Sequence, residues 1–146
     1  MAAHKIKDVK GLDEETQRKM EEAGIKDVEQ LLEQCSTSAR KTALAKKLGI
    51  PGSQLTEFVN RADLLRLKGV GPEMANLLEE GGVDSVKELR RRTPENLANK
   101  LKALNDEKKI THRAPTLQQI QGWIQQADEM YPKAQGQESQ GNGQSS

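Results

Sequence analysis

Residues 67–78 read LKGVGPEMANLL. Leu67 closes one apolar run, and Lys68, Gly69, Val70 and Gly71 make a tight corner. Pro72 opens a second run in which Met74, Ala75, Leu77 and Leu78 fall on one helical face. Two glycines around a single aliphatic residue suit a corner that needs positive φ or close backbone approach. Val70 is placed to plug the core between the flanking helices. Pro72 fits a first helical position, where its missing N–H costs nothing. Ala75 is small enough to let the two helices approach.

A weaker copy lies upstream. VKGLDEETQRKMEEAGIKDVEQL (9–31) aligns without gaps on LKGVGPEMANLLEEGGVDSVKEL (67–89), at a constant offset of 58 residues. Eight of the 23 positions are identical, Lys10/Lys68, Gly11/Gly69 and Gly24/Gly82 among them, which argues for an internal repeat. Asp13 stands where the second copy has Gly71, and Gln17 where it has Ala75. Gly24 and Gly82 sit where glycines end short helices. Asp27 and Asp84 are candidate caps for the helices that follow, about 27–35 and 84–92. Third helices start near Ser38 and Thr93. Ser53 is a candidate cap for a fourth helix, which runs unbroken into Leu67. In the second copy, Thr116 and Gln119 read as a capping box that opens the last helix. FVNRAD (58–63) pairs with WIQQAD (123–128) at an offset of 65, the extra residues lying in a longer connection, 105–115. Phe58 and Trp123 thereby occupy matching core positions.

Composition agrees with an all-α chain. Leucine, glutamate, lysine, glutamine and alanine dominate, β-branched runs are missing, and only one Phe, one Trp and one Tyr occur. The formal charge is +1. By count, residues 1–66 carry 12 basic and 11 acidic side chains and residues 67–131 carry 10 of each, so neither half is a basic domain. The single cysteine, Cys35, excludes an internal disulfide and fits a reducing cytoplasm. It shares a helix face with Val28, Leu31 and Leu32, which reads as a core or half-buried thiol. No apolar run is long enough to span a membrane, and the N-terminus lacks a signal-peptide core. The opening residues, up to Ile6 and Val9, read as loosely ordered. Residues 132–146 are polar, glycine-rich and expected to be disordered.

The corner at 67–78 resembles a helix-hairpin-helix motif. With both copies in view, the chain from about residue 6 to 131 resembles a bacterial family of tandem helix-hairpin-helix proteins catalogued as a domain of unknown function. It is also similar to the helix-hairpin-helix modules of DNA repair and recombination proteins. The resemblance implies two tandem helix-hairpin-helix (SAM-like) four-helix repeats, 1–66 and 67–131, which share a continuous junction helix. It also implies non-sequence-specific contact with DNA phosphates through the backbone of Gly69, Val70 and Gly71, with Lys68 in support. The physics permits this, because helix N-termini favour anions. Arg90, Arg91, Arg92, Lys108, Lys109 and Arg113 are candidates for supporting charge.

Other residues oppose that reading. Pro72 removes a donor, Glu73 lies where a phosphate would sit, and Glu79 and Glu80 add charge of the wrong sign. Both corners also read as plain helix–helix turns. The alternative function is therefore a protein-interaction or scaffold module that binds no nucleic acid. An enzyme is the weakest class. His4 and His112 lie far apart in sequence, no spacing suggests a metal site, and no nucleotide loop follows a strand. Neither a metal nor any other cofactor is expected.

Overall fold

Glycines, prolines and short polar residues cut the leucine-rich sequence into eight α-helices among the residues that the computed structural model describes, 4–132. They are α1 (Glu14–Glu22), α2 (Val28–Gln34), α3 (Ser38–Leu48), α4 (Gly52–Leu64), α5 (Pro72–Glu80), α6 (Val86–Arg90), α7 (Pro94–Lys108) and α8 (Leu117–Met130). Among the described residues there is no strand, only an isolated antiparallel bridge between Lys5 and Asp27. The chain is all-α.

Caps explain most of the boundaries. Asp13, Asp27, Thr37, Ser85 and Thr116 each accept a backbone N–H from the first turn of the following helix. Thr116 and Gln119 complete the expected capping box. The α1 and α5 helices end alike. The N–H of Ile25 reaches the carbonyl of Met20 at 2.8 Å, and that of Val83 reaches Leu78 at 2.9 Å. Gly24 and Gly82, at φ +88° and +94°, turn the chain between those bonds.

Four details differ from the sequence reading. Ser85, not Asp84, caps α6, because the register with Asp27 holds at 58 residues and places Ser85 at the cap. Ser53 lies inside α4, because Pro51, at ψ 146°, already sets the chain turning at Gly52. The α4 helix does not run to Leu67. It stops at Leu64, and the chain tightens through three-residue bonds from Arg66 N–H to Asp63 and from Leu67 N–H to Leu64, at 3.2 and 3.1 Å. From His4 onward the opening stretch is held rather than loose. Ile6 N–H donates to Lys26, Val28 N–H donates to His4, and Ile6 is 1% exposed. The expected disorder of 133–146 concerns residues outside those described.

The packing has a regular pattern. In the first half α2 and α3 pack on α4, and α1 packs on α3. In the second half α6 and α7 pack on α8, and α5 packs on α7. The α4–α5 contact ties the halves together. Buried side chains from all eight helices form one hydrophobic cluster, with Phe58 and Trp123 inside it at 1% and 3% exposure. Each fully buried leucine contributes roughly 1.5–3 kcal/mol of transfer free energy. No helix among the described residues is long and apolar enough to cross a membrane.

Candidate functional site

The corner between α4 and α5 is built from its floor upward. Leu65, Leu67 and Val70 are each 2% exposed and fix the chain to the core. Lys68 and Gly69 are exposed above them. Gly69 has φ +90°, which favours glycine, and a Cβ there would lie 3.1 Å from Trp123 Nε1, a tight contact that the indole would have to ease. Gly71 differs from expectation. At φ −95° and ψ −174° it is the extended N-cap of α5, and a Cβ would meet nothing within 4 Å. Only one of the two corner glycines uses the left-handed region.

That result accounts for Asp13. It occupies the same N-cap place in the upstream corner, at φ −81°, and its carboxylate accepts Thr16 N–H at 2.7 Å. Those bonds to Thr16 hold its pKa below the ordinary carboxylate value. Gly11, at φ +88°, keeps the role of Gly69, its absent Cβ facing Arg61 Nη1 and the Phe58 ring.

Each corner is gripped from a helix far along the chain. Gln126 on α8 accepts Lys68 N–H at 2.8 Å and donates to the Lys68 carbonyl at 3.1 Å. Arg61 on α4 donates to the Lys10 carbonyl at 3.0 Å. Arg61 and Gln126 are the paired positions of FVNRAD and WIQQAD. The matching segments carried this signal, but the sequence reading singled out only their aromatic members.

Among the described residues, no acceptor engages the N–H of Gly69 or of Gly71, whereas Val70 N–H is spent on Leu67 at 3.2 Å. Lys68 is in no ion pair there. Glu73 is exposed, and its carboxylate folds back on its own amide. That bond, with Lys10 beside it, lowers its pKa. Lys10 Nζ lies 3.2 Å from Glu73, which sets the two corners side by side. Arg61 and Glu79, 2.7 Å apart and each 13% exposed, form a second link.

The other candidate cations are dispersed. Arg92 donates to the Gly82 carbonyl at 2.7 Å, and Lys108 pairs with Glu80 at 3.3 Å, both at the C-terminal end of α5. That end is about 13 Å from the corner along a nine-residue helix. Arg90 donates to the Tyr131 carbonyl. Arg91 and Lys109 are C-caps of α6 and α7, and Arg113 is exposed in the 109–115 connection. None of these contacts brings a cation to Gly69–Gly71.

Catalytic groupings are sparse. His4 Nδ1 lies 3.0 Å from Asp8, while His112 is exposed on the distant connection. Cys35 is half-buried, and burial pushes its thiol up to about 11, against the opposing pull of Lys41. Among the described residues, no group of three His, Cys, Asp or Glu side chains is placed to hold a metal ion.

No significant match is found among curated proteins or among solved structures. One family model matches residues 10–130, a span that takes in both corners, all eight helices and the α4–α5 junction. The chain belongs to that family, described as Domain of unknown function (DUF4332).

Proposed function

We propose that this chain is a non-catalytic module of two tandem helix-hairpin-helix repeats, 1–66 and 67–131, that binds duplex DNA backbone without reading sequence. The docking point is the corner Lys68–Gly71. The observation that carries this reading is the pair of unengaged N–H groups on Gly69 and Gly71, beside an unpaired Lys68 and the N-terminus of α5. A phosphate seated there displaces the Glu73 carboxylate, which is exposed and held by Lys10 and its own amide. Lys10 then exchanges one anionic partner for another. Phe58 and Trp123 are buried, and Tyr131 lies beneath Arg66 and Lys87, so no aromatic side chain is free to stack on a base. Contact is with phosphates alone, which positions but does not specify. The single cysteine, Cys35, suits a reducing cytoplasmic setting.

Fluorescence anisotropy with short duplexes of unrelated sequence tests the proposal. The expected result is similar affinity for each duplex, lost steeply with added salt, and weakened by Lys68→Glu. No binding at low salt overturns it. One observation favours a protein-interaction module instead: acids already sit on both corners, Asp13 as a cap and Glu73 on its own amide. A pull-down that recovers the same proteins after nuclease treatment supports that second reading.

A further inference from the structure

We infer that the groove walled by Lys5, Lys7 and Lys26 is a second phosphate contact for the same nucleic acid, an inference that rests on the DNA-backbone reading above. The groove, of about 340 Å³, lies between the N-terminal turn and α1 and is lined by Lys5, Ile6, Lys7, Gln17, Glu21 and Lys26. Its three amines are exposed, and among the described residues none is in an ion pair. The lysines that do pair, Lys10, Lys19, Lys102 and Lys108, lie elsewhere. Glu21 is the one acid in the wall, and its carboxylate accepts the Gln17 amide at 3.2 Å.

The lysines stand on a held backbone. Lys5 bridges Asp27, Ile6 N–H donates to the Lys26 carbonyl at 3.1 Å, and Lys26 N–H donates to Gln30 at 2.6 Å. Ile6, 1% exposed, anchors the floor. Three lysines against one glutamate give the groove's lining a net positive charge, which attracts an anion seated in it. The groove has no aromatic wall, so it suits a sugar–phosphate segment rather than a base. Leu117, on α8, is the one large hydrophobic side chain exposed among the described residues, so nothing beside the groove would anchor it in a lipid layer.

The test compares the full chain with the triple variant Lys5→Gln/Lys7→Gln/Lys26→Gln and, separately, with Lys68→Gln, by duplex titration across salt concentrations. The triple variant is expected to bind at least on the order of a hundredfold more weakly at low salt, with a salt dependence shallower by roughly one unit of slope per lysine. Unchanged affinity and slope in the triple variant, with a loss in Lys68→Gln, overturn the groove and leave the corner standing. A loss in the triple variant alone keeps the groove and removes the corner. No duplex binding by the wild type overturns both. Polyglutamate competing as well as duplex overturns the assignment to phosphate.

Discussion

The two corner glycines look equivalent in sequence and are not. Gly69 combines φ +90° with an indole nitrogen 3.1 Å from where a Cβ would lie, while Gly71 has an ordinary extended backbone with open space beside it. Gly69→Ala is therefore expected to lower stability by roughly 1–2 kcal/mol from the left-handed backbone alone. Gly71→Ala is expected to stay within about 0.5 kcal/mol of the wild type. Urea unfolding monitored by circular dichroism measures both, and equal losses would contradict the assignment. The pattern of small residues located the corner. It did not say which glycine was essential, because φ depends on where Trp123 and Gln126 arrive from α8. The substitution at Asp13 was a partial clue: aspartate caps helices readily, but it also tolerates left-handed φ, so it did not by itself exclude that conformation at Gly71.

At the scale of the element, the starts of α2 and α8 were legible from the short polar side chains that cap them, Asp27 and Thr116, whereas at α6 the sequence pointed to the adjacent Asp84 for the cap that Ser85 supplies. Helix ends were also misread where backbone geometry decided. Pro51 starts α4 ahead of Ser53, and the buried pair Leu64–Leu65 draws the chain inward and stops α4 short of Leu67. The 109–115 connection is organised by a residue the sequence did not flag. Asn105, 6% exposed, donates to the Thr111 carbonyl at 3.1 Å and accepts Thr111 N–H at 2.8 Å. Asn105→Ala strands both Thr111 groups and is expected to cost about 1–3 kcal/mol. The same change should speed amide exchange at Thr111, read by NMR. An unaltered rate there would show that the loop is held by something else.

Over the whole molecule, the all-helical class and the leucine core followed from composition and spacing. The links between the halves did not, since neither Arg61–Glu79 nor Lys10–Glu73 belongs to any motif. Such pairs arise from how helices cross, which no local pattern records. Burial raises the pKa of Glu79, with Arg61 opposing and Glu57 adding to the rise. The folded chain thus holds that proton more tightly than the unfolded chain does. Glu79's contribution to stability falls as pH rises from about 4.5 through the folded value. Glu79→Gln is expected to remove that component, flattening the stability profile above about pH 4.5. Urea midpoints collected across that range decide it, and superimposable profiles would refute it.

Arg61 carries one further consequence. A single guanidinium on α4 holds the Lys10 carbonyl in one half and Glu79 in the other. Local fluctuation in either half must then break bonds that the other half also relies on. Native-state deuterium uptake should accordingly show the slowest protons of Leu31 and Leu101 released in one shared opening event, and Arg61→Lys should divide that event in two.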